Sequence, residues 1–143
     1  MEDKNEIKNH IIGIGGIFFK ADNPENLQKW YMDNLGFFPQ VPYMKGDDAI
    51  SFKWKTFSGE NENTIWAPFK KDTTYFDPST KDWMINYIAK DLDQLLEKLK
   101  SKGIIRLGEI VVQPFGKFAS ILDPKGNKIE FCEPDREYFK EKY

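Results

Sequence analysis

Hydrophobic and polar positions near the start of the chain follow the spacing of a strand and then of a helix. Residues 11–21 are almost continuously apolar and β-prone. They are followed by Asn23 and Pro24, which are typical of an N-cap and of the first helical position. Gly36 stands where a left-handed helix terminator is expected. The apolar side chains between these signals form one helical stripe, Leu27, Trp30, Tyr31 and Leu35.

The same pattern recurs in the second half of the chain. Residues 83–89 are again strand-like, Asp91 can cap a helix, and Gly103 can end it. Leucines at helical spacing lie between the two signals, Leu92, Leu95, Leu96 and Leu99. Asn23 and Asp91 are 68 positions apart, and this offset superposes the two patterns. The chain is therefore predicted to contain an internal duplication.

Short strand candidates follow each predicted helix and complete two modules of the order βαβββ. They are residues 37–44, 48–57 and 63–69 in the first module and 104–113, 116–122 and 127–133 in the second. The clearest turn, D-P-K-G-N at 123–127, predicts a hairpin. We predict one domain over residues 1–143, with modules at 11–69 and 83–134, a linker at 70–82 and a C-terminal tail at 135–143. The linker and the tail carry no motif, and the tail is expected to form a loosely attached helix.

Composition and charge narrow the classes of partner. The formal net charge is -2, which argues against nucleic acid as a partner. No stretch approaches the roughly 20 apolar residues of a membrane span, so we expect no membrane association. The single Cys132 excludes an intramolecular disulfide and fits a reducing compartment, so we expect a cytoplasmic protein. Aromatic residues make up 15% of the chain, and some of them are expected to line a pocket for a small-molecule ligand.

Three segments resemble the vicinal-oxygen-chelate superfamily, which includes glyoxalase I, bleomycin-resistance proteins and extradiol dioxygenases. FFKADNPENLQKWYMDNLGF is similar to the strand and helix that open such a domain, and AKDLDQLLEKLKSKG is similar to their second copy. FGKFASILDPKGNKIEFCEP resembles the closing hairpin. The resemblance implies an α+β fold in which two βαβββ modules form a curled mixed sheet around a cup. It also implies a homodimer, because the fold exposes sheet edges that commonly pair between subunits.

The resemblance also implies a test for a metal site. Metal-dependent members commonly place His or Glu on the first strand of each half and Glu on the last. The positions that correspond in this chain are Gly16, Met84, Trp66 and Glu130, of which only Glu130 is such a ligand. A catalytic zinc site needs about three protein ligands. The lone His10 lies outside the motifs and is expected to be a surface or packing residue. We expect no metal or other cofactor, and a divalent cation held by oxygen atoms alone is the alternative.

Period-two alternation predicts which side chains face the cup. The side chain of Glu130 is the candidate polar anchor, either as a binding or catalytic carboxylate or as the partner of Lys20 or Lys128 in a salt bridge. Cys132 would face the same way and is expected to be inert, because no His lies near it in sequence. The candidate binding residues are Phe18, Phe52, Trp54, Trp66, Met84, Asn86, Phe118 and Glu130.

The favoured function is metal-independent binding or sequestration of a small apolar or aromatic molecule, as the resemblance to bleomycin-resistance proteins implies. The alternative is a lyase, isomerase or oxygenase of the glyoxalase or dioxygenase type, with Glu130 as metal ligand or general base. A third class is an interaction module without a small-molecule site. The sequence alone does not decide whether the protein is an enzyme.

Overall fold

A mixed sheet of seven strands and three helices make up the part of the chain that the structure describes. The structure is a computed structural model, and it describes residues 8–41 and 49–140. The elements are β1 (Ile11–Ala21), α1 (Pro24–Leu35), β2 (Ile50–Lys55), β3 (Asn61–Lys70), β4 (Trp83–Ala89), α2 (Leu92–Ser101), β5 (Leu107–Gln113), β6 (Gly116–Leu122), β7 (Lys128–Pro134) and α3 (Arg136–Phe139). None of the described helices is both long and apolar enough to cross a membrane.

The strand order joins the two modules through their first strands. The order across the sheet is β2-β3-β1-β4-β7-β6-β5, and the central pair β1–β4 is antiparallel. On either side of it, β1 pairs in parallel with β3 and β4 pairs in parallel with β7. The outer pairs are antiparallel, and β6–β7 is the predicted hairpin. The predicted α+β fold with a curled mixed sheet is therefore confirmed.

One predicted strand of the first module is reduced to a single bridge in the described residues. The prediction covered residues 37–44, of which 42–44 lie outside the description. Pro39 forms an isolated parallel bridge with Ser51 of β2. The Ser51 hydroxyl then donates to the Val41 carbonyl and accepts from the Val41 amide at 3.0 and 2.8 Å. These side-chain bonds and one backbone bond, from the Gln40 amide to the Ser51 carbonyl at 3.1 Å, hold the segment along β2.

The two helices are capped differently, although the sequence pattern is the same. In α1 the Asn23 side chain accepts a hydrogen bond from the Asn26 amide at 3.0 Å, as predicted. Asp91 adopts a left-handed backbone conformation before α2, and its side chain makes no capping bond. Glu133 of β7 accepts from the Leu92 amide at 3.0 Å instead. The prediction that Asp91 caps α2 was wrong, because a strand carboxylate distant in sequence satisfies the helix end.

The main apolar core lies between α2 and the second module. The four leucines of the predicted stripe are buried against Ala119, Ile121 and Phe131. In contrast, α1 has no fully buried residue and contacts the sheet through aromatic rings. The Tyr31 ring lies 4.6 Å from the Trp66 ring, which in turn lies 5.2 Å from the Phe19 ring, centroid to centroid. The helices α1 and α2 therefore cover one face of the sheet, and the other face is available for a site.

Candidate active site

The face of the sheet opposite α1 and α2 encloses a cavity of about 620 Å³, which Phe139 of α3 also borders. Phe18, Asn86 and Glu130 line this cavity, whereas their neighbours in sequence Phe19, Tyr87 and Phe131 pack on the helix side. The alternation follows from the pleat of a strand, in which successive side chains point to opposite faces. We call this cavity the cup. Its walls are mainly apolar and carry the rings of Phe18, Phe69, Phe115 and Phe118.

The polar centre of the cup is the carboxylate of Glu130, which is only 5% exposed. Glu130 and Asn86 are paired residues of β7 and β4, so their side chains stand next to each other. Asn86 Nδ2 donates to Glu130 Oε1 at 2.8 Å. The Tyr75 hydroxyl donates a short hydrogen bond to Glu130 Oε2. The sequence allowed a salt bridge between Glu130 and Lys128. Instead, the carboxylate accepts hydrogen bonds from two neutral donors, and the Lys128 ammonium donates to the Tyr75 carbonyl at 2.7 Å.

The surroundings raise the pKa values of three groups in the cup. Burial raises the pKa of Glu130 above its ordinary value, although the bonds from Tyr75 and Asn86 and the charge of Lys128 act in the opposite direction. Burial and the neighbouring Glu130 raise the pKa of Tyr75 well above its usual range. Burial likewise raises the pKa of Cys132 to about 12. Near neutral pH, Tyr75 and Cys132 are therefore protonated donors.

A glycine bulge makes room for the polar centre. The pairing of β1 with β4 shifts register between Ile14 and Gly16, which leaves Gly15 unpaired in the bulge. A Cβ atom on Gly15 would lie 2.4 Å from Asn86 Oδ1 and 3.1 Å from Cys132 Sγ. The Cys132 thiol donates to the same Asn86 Oδ1 at 3.0 Å, which leaves the amide nitrogen of Asn86 facing Glu130. Gly15 therefore permits the orientation of the Asn86 amide.

Replacing Gly15 by Ala is expected to destabilise the fold by about 1–3 kcal/mol and to displace Asn86 from Glu130. The added Cβ would meet the Asn86 amide, whose two ends are both hydrogen-bonded. The matched control is Gly16→Ala, whose Cβ would first meet the far end of the Phe18 ring at 2.5 Å. That ring borders the cup and can move into it. Urea unfolding of both variants is the measurement, and equal losses would contradict the argument.

Tyr75 is a site residue that the sequence reasoning missed. It lies in the predicted linker at 70–82, which was expected to carry no motif. The adjacent Phe76 is fully buried, and its ring centroid lies 5.2 Å from that of Phe69. This packing holds the linker against the cup. The neighbouring pair of rings Tyr75 and Phe76 in an otherwise polar segment is the signal that could have revealed it.

Comparisons with known proteins agree with this geometry at the level of the fold. No protein-family model matches the sequence, and no curated protein matches it significantly. Among solved structures, methylmalonyl-CoA epimerase from Mycobacterium tuberculosis is similar over 92% of this chain and 94% of its own, with 15% identity and a TM-score of 0.57. A variant of the Streptomyces coelicolor methylmalonyl-CoA epimerase in complex with 2-nitronate-propionyl-CoA is similar over 87% and 98%, with 16% identity and a TM-score of 0.61. These epimerases are members of the vicinal-oxygen-chelate superfamily.

The chain has the vicinal-oxygen-chelate fold. The similarity to solved structures extends over most of the chain, so the fold that the sequence motifs suggested is confirmed. At these identities the similarity establishes the fold and leaves the activity to be argued from the site.

The predicted binding residues fall into three groups in this fold. Phe18, Asn86, Phe118 and Glu130 line the cup. Met84 is fully buried and does not border the cavity. The remaining three lie in the first module and outside the cup, and they are Phe52, Trp54 and Trp66.

The placement of the first-module rings corrects the prediction that they form walls of the cup. The Trp66 ring contacts the rings of Tyr31 and Phe37, and the Phe52 ring lies 5.2 Å from that of Phe37. Trp54 donates from its indole nitrogen to the Thr64 hydroxyl at 2.9 Å. On β3, Ile65 and Phe69 do line the cup. A shift of one residue along a strand exchanges the two faces.

The sheet register also shows which residue of the first module corresponds to Glu130, and it differs from the predicted Trp66. Phe18 and Asn86 are related by the 68-residue offset. Phe18 pairs with Ala67 on β3, and Asn86 pairs with Glu130 on β7. The structural counterpart of Glu130 is therefore Ala67, and the prediction of Trp66 was one residue out of register.

The residues present do not fit the metal centre that the superfamily implies. Gly16 and Ala67 carry no ligand atom, and Met84 offers only a soft thioether. No three side chains of His, Cys, Asp or Glu lie close enough to hold a metal ion in residues 8–41 and 49–140. His10 is buried outside the cup, with Nδ1 2.7 Å from the Lys90 carbonyl. We derive no catalytic step through a metal.

Proposed function

We propose that this protein is an enzyme, a lyase or isomerase, that removes a proton from a small and largely apolar molecule in the cup with Glu130 as general base. The observation that carries the proposal is the carboxylate of Glu130 on the wall of an apolar cavity, buried and hydrogen-bonded by Tyr75 and Asn86. A base of this kind works best when its pKa is brought towards the working pH. Burial of Glu130 acts in that direction.

The geometry of the cup supports the assignment in two further ways. Asn86 and Tyr75 hold the carboxylate from two sides, so its oxygens have fixed positions before a ligand arrives. The aromatic walls suit an apolar group, which they would bind by burial of its surface. An isomerisation that begins with proton removal needs one such base. The structures similar to this chain include epimerases, which favours the same class of reaction by analogy of fold.

The test is hydrogen–deuterium exchange into candidate substrates. The protein is incubated in D₂O with methylmalonyl-CoA, other acyl thioesters and small aromatic ketones, and incorporated deuterium is measured by mass spectrometry. We expect exchange at a carbon-bound hydrogen of at least one compound above the rate without protein. We also expect the rate to be unaffected by a chelator, because the proposed base needs no metal. Exchange that the chelator abolishes would contradict the proposed role of Glu130.

Binding without chemistry is the second candidate function. It is favoured by one observation, namely that both oxygens of Glu130 already accept hydrogen bonds within the protein. A sequestering protein would be stabilised against heat by an apolar aromatic ligand and would catalyse no exchange in that ligand. The same set of compounds therefore separates the two functions. Homodimerisation and a cytoplasmic location remain predictions from the sequence.

A further inference from the structure

Tyr75 stands between the linker and the base of the cup. Its ring stacks on that of Phe69, with centroids 5.5 Å apart and planes inclined by 19°. Its hydroxyl donates to Glu130 Oε2. The Lys128 ammonium lies over the Tyr75 ring, 5.2 Å from its centroid. The tyrosine hydroxyl and the carboxylate of Glu130 thus meet at one side of the cup, and the lysine ammonium lies against the backbone and the ring of the same tyrosine.

The backbone of Tyr75 is fixed, whereas its side chain keeps access to solvent. The Tyr75 carbonyl accepts from Lys128 Nζ at 2.7 Å, and the Tyr75 amide donates to the Thr73 hydroxyl at 3.2 Å. Phe76, the next residue, is fully buried, but Tyr75 itself is 42% exposed. The hydroxyl can therefore change its partner by a rotation of the side chain, without movement of the linker.

We propose that Tyr75 is a further catalytic residue, whose hydroxyl donates to an oxyanion that forms on the substrate. This inference rests on the proposed role of Glu130. It names the substrate class as a carbonyl compound with a hydrogen on the carbon next to the carbonyl group. The C–H bond breaks, its proton goes to Glu130, and the electron pair forms a C=C bond while the carbonyl oxygen becomes an enolate oxygen. Return of this proton to the same position regenerates the substrate, and its transfer from Glu130 to a different carbon of a conjugated enolate gives the isomer.

The movement of charge explains why the hydroxyl would change partner. Before the reaction the negative charge is on Glu130, and the Tyr75 hydroxyl bonds to it. After proton transfer Glu130 is neutral and the charge lies on the enolate oxygen, so the stronger acceptor is now the substrate. The charge of the Lys128 ammonium acts to lower the pKa of Glu130, so it also favours a negative charge near that carboxylate. Tyr75 keeps its own proton, because its pKa lies well above the usual range.

The test uses 4-nitrophenolate, a planar oxyanion that reports binding by its absorbance, at a pH at which the probe is ionised. Glu130→Gln mimics the neutral base that follows proton transfer. We expect this variant to bind the phenolate about tenfold or more tightly than the wild type, because a like charge has been removed. Adding Tyr75→Phe is expected to weaken binding again by about tenfold or more, because a hydrogen bond to a charged group is lost.

The matched control is the neutral 4-nitroanisole, which has a similar ring and no oxyanion. Tyr75→Phe should leave its affinity within about twofold, since the ring that stacks on Phe69 is kept. The inference would be overturned if Tyr75→Phe affected both probes equally or affected neither of them. It would also be overturned if the phenolate did not bind to Glu130→Gln. This test gives a result independent of the test of Glu130 as base. If phenolate binding depends on Tyr75, the oxyanion site is supported even where no deuterium exchange is found. If exchange occurs but phenolate binding does not depend on Tyr75, only the role of Tyr75 is rejected.

Discussion

Glu130→Gln is expected to lower the rate of substrate proton exchange by about 10²–10⁴-fold, the usual contribution of a general base. Gln has the same shape and can still accept the bond from Asn86 and engage the Tyr75 hydroxyl, so the walls of the cup remain in place. Affinity for a neutral ligand should therefore change much less than the rate. The measurements are exchange in D₂O at saturating ligand and calorimetric titration of the same ligand. A variant that loses affinity but keeps its rate would identify Glu130 as a binding anchor instead.

The matched control for Glu130→Gln is Glu109→Gln. Glu109 also borders the cup, but its side chain is 91% exposed and pairs with Arg106 at 3.5 Å. Its carboxylate is solvated, so its loss should leave the exchange rate within about threefold, since exposed ion pairs contribute little. Comparable losses in the two variants would point to the overall charge of the cup and away from a single base.

The stability of Glu130→Gln provides an independent check on the burial of the carboxylate. The pKa of Glu130 is raised in the folded protein above its ordinary value of 4.5. The stability that protonated Glu130 contributes is therefore complete below pH 4.5. It is lost as the pH rises through the pKa of Glu130 in the folded protein. Gln does not titrate, so the variant should become more stable relative to the wild type as the pH rises from about 4 to about 8. A difference that stays constant with pH would contradict the raised pKa.

Much of the fold could be predicted from local signals, because they act within a few residues. Asn23 and Gly36 bound α1 as the sequence indicates, and the leucine stripe of α2 is buried. Alternation also places the side chains of Phe18 and Glu130 on the cup face. In each of these cases the pattern and the structure depend on the same short segment of chain.

The rest depends on contacts between distant segments, which a local pattern does not encode. The similarity of N-T-I-W to N-K-I-E suggests that Trp66 matches Glu130, but the pairing of β3 with β1 sets the register and puts Ala67 there. Tyr75 contacts Glu130 across 55 positions of sequence. Its position beside Glu130 follows from the path of the linker over the cup, and the linker has no regular spacing that could predict this path.

Arg136→Ala is expected to lower the free energy of unfolding by about 3 kcal/mol at neutral pH, near the lower end for a broken buried ion pair. Glu62 on β3 is only 1% exposed, and Arg136 of α3 donates from Nη1 to its Oε1. Glu62 Oε2 has no hydrogen-bond partner among the described residues. Removing Arg136 leaves a buried carboxylate without its positive partner. Arg136 itself is 48% exposed, which lets water replace part of the interaction.

The pH dependence and two controls test the cause of that loss. Burial raises the pKa of Glu62 even beside Arg136, so the stabilisation by Arg136 is present at neutral pH and fades as the pH falls and Glu62 takes up a proton.

Arg106→Ala, which breaks an ion pair with the exposed Glu109, should cost less than about 1 kcal/mol. In a Glu62→Gln background, Arg136→Ala should cost much less than in the wild type, because no buried charge remains. Urea unfolding between about pH 4 and pH 8 measures the wild type and each of these variants. An equal cost of Arg136→Ala in both backgrounds would mean that α3 is held by the packing of Phe139, which is 3% exposed, and not by the ion pair.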